Sequence, residues 1–175
     1  MLTSKIVGIF SAFAYGMNDD PATTIDQLNK VLARRAIGAR YATAVYGRLS
    51  PTGELTFCSA GHNPTLVYGK SGLRKFEAGG IPVGLFDSAP YESTTVQLDP
   101  GDTVVLYSDG VTEAHNVDGE EFGEQRLTDV VVQYHSQPAA EVLEKIVNAV
   151  TTFAHGAEQY DDVTAVVIRY TGVPG

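Results

Sequence analysis

Positive charge is in short supply in this chain. Twelve lysines and arginines stand against 21 aspartates and glutamates, a formal net charge of −9 over 175 residues. Nucleic-acid binding needs a basic face to neutralise phosphates, so the balance argues against that class of partner. Cysteine is scarcer still. Cys58 stands alone, which excludes an intramolecular disulfide and makes a reducing, cytoplasmic compartment the expectation. Set between Phe57 and Ser59 in a strand pattern, it reads as a buried structural thiol and not a nucleophile. No Gly-x-Ser-x-Gly elbow occurs, so a serine-hydrolase mechanism has no anchor. The glycine-rich loop from Gly79 to Gly84 lacks the lysine and spacing of a P-loop, and the acids of Asp118 to Glu121 miss the calcium-loop spacing. Apolar runs are all too short to cross a membrane, so no membrane partner is expected.

What is present is an ordinary globular composition, 43% hydrophobic and 19% charged, at a length that suits one domain spanning residues 1–175. Leu2, Ile6, Ile9, Phe10 and Phe13 recur at spacings of three and four, which predicts a buried helix and not a signal peptide. That helix opens without a polar lead-in, so a partial domain is expected. A second helix carries Ile25, Leu28, Val31 and Leu32 on one face, with Thr23 or Thr24 as its cap and Arg34-Arg35 at its negative end. From Tyr41 the period becomes that of strands: 41–49, 54–60, 65–68, 73–76 and 94–98, divided by Pro/Gly/Asn/Ser turns. Such a succession predicts an antiparallel meander. Helices over 126–134 and 139–153 follow, and a last apolar run covers 163–168. Together these elements predict an α+β fold.

The informative stretch is Thr103 to Gly110. Five apolar, β-branched or aromatic residues run into Ser108-Asp109-Gly110, which reads as a buried strand ending on a carboxylate. Tyr160-Asp161-Asp162 stands at the start of the last strand. If the two strands pair antiparallel, the end of one lies beside the start of the other, and Asp109 meets Asp161 at one rim. Carboxylates fixed by a sheet are what a hard divalent cation requires. Taken singly, each is an ordinary turn aspartate.

Six motifs then occur in an order that resembles the bacterial SpoIIE-type branch of the metal-dependent, 2C-like (PPM) serine/threonine phosphatases. They are Ala60-Gly61-His62-Asn63-Pro64, Gly80-Ile81-Pro82-Val83-Gly84, Pro100-Gly101-Asp102, Tyr107 to Ala114, Phe122-Gly123 and Asp161-Asp162-Val163-Thr164. The resemblance implies an α-β-β-α sandwich of two antiparallel sheets flanked by helices. It implies a site for two Mn²⁺ or Mg²⁺ ions whose bound water attacks phosphorus directly, so no side chain is the nucleophile. Asp109 and Asp161 match ligands of one ion. Gly110, Asp162 and His62 match supporting positions, Asp162 holding the turn and His62 stabilising its own. The family's other ligands come from an Asp-x-x-Gly-x-Gly motif and an earlier acidic strand that this chain lacks, so the sandwich is expected without its N-terminal strands. Open sheet edges would then be available for pairing with another copy. The implied substrate is a phosphoserine or phosphothreonine protein, of the anti-anti-sigma factor type, with a sensor domain upstream. The competing expectation is an impaired module that binds a regulatory protein without catalysis.

Overall fold

The computed structural model describes residues 20–34, 41–77, 79–158 and 161–172. The helix expected over 1–17 and the arginine at 35 lie outside these residues. Two compact units are present, one of residues up to 62 together with 77–98, the other of 63–76 and 99 onward.

In the first unit, helix α1 (Pro21–Arg34) accompanies strands β1 (Ala44–Leu49), β2 (Glu54–Ala60) and β5 (Thr94–Gln97), in sheet order β1-β2-β5. The cap of α1 is Asp20, not the threonines. Its Oδ2 accepts from Ala22 N at 3.0 Å and Thr23 N at 3.3 Å, with Pro21 at the first helical position, where a missing N–H costs nothing. Ile25 packs with Tyr46, Cys58, Ala60 and Val83, and Leu28 and Leu32 flank them on the same helical face. Asn29 is buried one turn after Ile25 and spends its amide on the 81–88 loop. Its Oδ1 accepts from Gly84 N at 2.7 Å and its Nδ2 donates to Phe86 O at 3.1 Å. The β1–β2 hairpin closes through Ser50 to Gly53, with Ser50 N donating to Glu54 O at 2.8 Å.

The second unit holds β3 (Thr65–Gly69), β4 (Gly72–Phe76), β6 (Thr103–Tyr107) and β7 (Ala165–Arg169) in the order β4-β3-β6-β7, all antiparallel. Helices α2 (Asp109–Thr112), α3 (Gly123–Tyr134) and α4 (Ala139–Phe153) complete it. Every residue of β6 is buried, whereas every residue of β7 is only partly so. Val105 and Tyr107 of β6 join Leu127 and Val131 of α3 and Val142, Ile146 and Val150 of α4 in one core. Spacings of four place these helical residues on single faces, and each such burial contributes about 1.5–3 kcal/mol.

The meander expected from 41 onward is not formed. Strands β1–β2 and β3–β4 are local hairpins, but β5 returns to β2 and β6 to β3, so the chain serves two sheets alternately. Short turns between strands are compatible with either outcome. The pairing is decided by which strand buries the free edge of β2 and of β3. Within this frame the expectation of two antiparallel sheets with helices holds. Among the described residues no helix is long and apolar enough to cross a membrane.

Candidate metal centre

The central prediction concerned the end of β6 and the start of β7, and the register answers it. Tyr107 pairs with Ala165 and Leu106 with Val166, so the chain beyond Tyr107 runs beside the chain before Ala165. The ladder continues through Ser108 N, which donates to Thr164 O at 2.9 Å. Asp109, Gly110, Asp161 and Asp162 are thereby gathered at one rim of the four-stranded sheet. Asp109 is partly buried and Asp161 exposed.

The sequence predicts a strand that ends on the Asp109 carboxylate; in the structure β6 ends at Tyr107 and Asp109 lies in the helix that follows. Asp109 starts α2, and its carbonyl accepts from Glu113 N at 2.7 Å. The turn forms because Val111 is drawn completely into the core beside Tyr107 and Phe122. Gly110 is required for a different reason. A Cβ built there would lie 2.4 Å from Asp162 O, inside van der Waals contact. The backbone of 162 therefore rests on the backbone of 110. Asp162 works here through its main chain: its carbonyl meets Gly110, and its N–H donates to Asp161 Oδ1 at 2.9 Å. That bond orients the Asp161 carboxylate at the turn.

Ser108 was not singled out by sequence reasoning. Its hydroxyl donates to Asp162 O at 3.0 Å and accepts from Thr164 N at 3.1 Å. No local signal carries this link, since its partners lie 54 and 56 residues away. His62 belongs to the first unit. It is buried, with Nδ1 3.5 Å from Thr43 Oγ1, in a turn where Gly61 N donates to Gly80 O at 2.8 Å.

Beside the rim is a cleft of about 350 Å³, whose walls include Gly110, Glu113, His115, His155, Glu158 and Asp161. Its size falls at the small end of ligand sites. Two carboxylates offer the hard oxygen donors that Mn²⁺ and Mg²⁺ prefer, and Mg²⁺ is commonly held by one or two carboxylates with waters completing its shell. The donor set thus fits one such ion. Among the described residues no group of three or more His, Cys, Asp or Glu side chains is placed to hold a metal.

Two antiparallel sheets with helices are also the elements of PP2C-type phosphatase domains. The SiaA PP2C domain of Pseudomonas aeruginosa superposes with a TM-score of 0.76 at 23% identity, over 86% of this chain and 61% of that one. The phosphatase domain of SpoIIE from Bacillus subtilis, from a crystal presoaked with Mn, gives a TM-score of 0.64 at 19% identity, over 87% and 68%. The family model for stage II sporulation protein E (SpoIIE) matches residues 1–171, and the chain belongs to that family. Among curated proteins it is 26% identical over 152 residues to the phosphoserine phosphatase RsbU of Bacillus subtilis, covering 85% of this chain and 45% of that protein. Protein IcfG of Synechocystis sp. is 29% identical over 132 residues, covering 74% and 21%. The chain thus spans between about a fifth and just under half of these curated relatives.

Proposed function

We propose that this chain is a metal-dependent phosphatase domain that hydrolyses phosphoserine or phosphothreonine on a regulatory protein, with Mn²⁺ or Mg²⁺ held at the Asp109–Asp161 rim. The observation that carries the proposal is the pairing of β6 with β7, which brings the segments bearing Asp109 and Asp161, 52 positions apart in the sequence, to one sheet rim beside a cleft. Membership of a family whose relatives include a phosphoserine phosphatase supports the same reading. A divalent ion bound there would supply charge neutralisation for phosphoryl oxygens and acidify a water.

The chain's own residues have three tasks. Asp109, anchored by the fully buried β6, provides a carboxylate whose backbone cannot drift. Asp161, oriented by its bond to the Asp162 N–H, provides the second from a turn. The adjoining cleft receives the phosphorylated side chain, and no serine or cysteine stands among its described wall residues, which agrees with direct hydrolysis. The substrate we infer is a phosphorylated regulator of the anti-anti-sigma factor type, met in the cytoplasm, with a sensor domain elsewhere in the full protein.

The finding that no third ligand joins the pair among the described residues favours a second reading, a protein-binding module with at most one weakly held ion. Mn²⁺-dependent hydrolysis of a phosphoserine peptide separates the two. The phosphatase reading expects activity that Asp109→Asn reduces by more than about 100-fold, since loss of a direct ligand exceeds the 10–100-fold typical of outer-shell changes. Metal-independent hydrolysis, or hydrolysis equal in the variant, rejects it.

A further inference from the structure

Serine immediately before a helix ordinarily turns its hydroxyl onto the helix's own free N–H groups. Ser108 occupies that position ahead of α2, with φ −83° and ψ 164°, yet makes no side-chain cap bond. Its hydroxyl is committed elsewhere. The single donor goes to Asp162 O at 3.0 Å, and the oxygen accepts from Thr164 N at 3.1 Å. The main-chain N–H adds a third bond, to Thr164 O at 2.9 Å. Ser108 is 4% exposed, so water does not substitute for these partners. One side chain therefore grips both ends of residues 162–164, directly after Asp161, while the following residue but one, Gly110, lets Asp162 O approach.

We infer that Ser108 is a positioning residue for the metal centre: its hydroxyl fixes the Asp161-bearing turn against the Asp109-bearing strand end and so sets the spacing of the two carboxylates. The inference rests on the metal reading given above. The physical reason is that β7 begins only at Ala165, so regular ladder bonds do not hold Asp161 and Asp162. The serine hydroxyl extends the grip of the sheet past its last paired residue. Supporting bonds that orient ligands are worth roughly 10–100-fold in metal affinity. Without this one, Asp161 remains present but samples a wider range of positions, and the ion meets a site that must be ordered at the moment of binding.

The test is Mn²⁺ affinity of the chain by titration calorimetry, with hydrogen exchange of the Thr164 amide measured in metal-free protein. Ser108→Ala is expected to weaken Mn²⁺ binding about tenfold and to deprotect the Thr164 amide. Ser108→Thr, which keeps the hydroxyl, is expected to recover most of the affinity. Leu127→Ala, which loosens the same core away from the rim, controls for lost stability and should leave the affinity unchanged. Should Ser108→Ala not fold, Ser108→Cys keeps the size and a weak donor and carries the same expectation. Unchanged Mn²⁺ affinity in Ser108→Ala, or a loss no greater than that in Leu127→Ala, overturns the inference. Asp161→Asn distinguishes the two levels. If it also leaves Mn²⁺ affinity unchanged, the metal reading itself has failed; if it alone abolishes binding, only the role of Ser108 has.

Discussion

Gly61 and Gly110 sit in motifs of similar appearance, and a Cβ would be equally crowded at each, 2.4 Å from its nearest neighbour. The neighbours differ in kind. At Gly61 they are ring atoms of Pro82, and the residue also holds φ +64°, a conformation that side chains disfavour. That turn is closed by Gly61 N to Gly80 O and lined by apolar contacts, which is how a fold secures a crossing of its own chain. At Gly110 the neighbour is a carbonyl, Asp162 O, and φ is ordinary. The tight approach there brings one polar segment against another, each carrying an exposed or partly exposed carboxylate. Equal crowding thus serves chain closure in one place and placement of charged groups in the other.

The largest effect that would sharpen this contrast lies within the rim. Asp161→Asn should weaken Mn²⁺ binding by more than about 100-fold, whereas Asp162→Asn should stay within about threefold, because Asp162 acts through its main chain. Equal losses in calorimetric titrations would show that the Asp162 carboxylate is itself a ligand. Next come the glycines. Overpacking costs about 1–3 kcal/mol, so Gly61→Ala and Gly110→Ala should both lower the urea midpoint. Only Gly110→Ala is expected to lower Mn²⁺ affinity as well; a parallel loss in Gly61→Ala would break the distinction between the two glycines.

The smallest effect concerns Cys58, fully buried in the first unit. Burial, reinforced by the negative charge of Asp20 and only partly offset by a hydrogen bond from the Glu92 backbone, pushes its thiol up to about 11. The ordinary value is 9.0, so at pH 8 the folded thiol stays protonated and unreactive. The sign follows from linkage: this contribution to stability is intact below pH 9 and is lost as the pH rises towards 11. Iodoacetamide at pH 8 should label Cys58 negligibly in native protein and completely in urea. Rapid labelling of the native form would mean that the first unit opens readily.

Much of the site was legible because it depends on strand character. The runs Thr103 to Tyr107 and Val163 to Ile168 are β-branched and apolar, and antiparallel pairing of the two brings their acidic ends together whatever the rest of the chain does. Cys58 was legible as a core thiol for the same reason. Less legible were elements whose identity rests on partners far away. Asp20 was overlooked as the α1 cap because Thr23 and Thr24 are capping residue types as well, and only geometry chooses among the three. The four residues of α2 carry no periodicity, and their turn follows from Val111 finding space in the core. Ser108 reads as a turn residue or cap in any local window, since its true partners are Asp162 and Thr164.

Sequence alone therefore determined which segments become strands and which aspartates end and begin the two critical ones. Side-chain alternation and β-branching are local properties, and a strand carries them wherever it lies. Only the tertiary structure decided that β5 returns to β2 and β6 to β3, that Gly110 must lie bare beneath Asp162, and that the Ser108 hydroxyl serves a distant turn and not its own helix. Each of those outcomes is a competition for one edge, one contact or one hydrogen bond among segments remote in the chain, and such competitions are settled by packing.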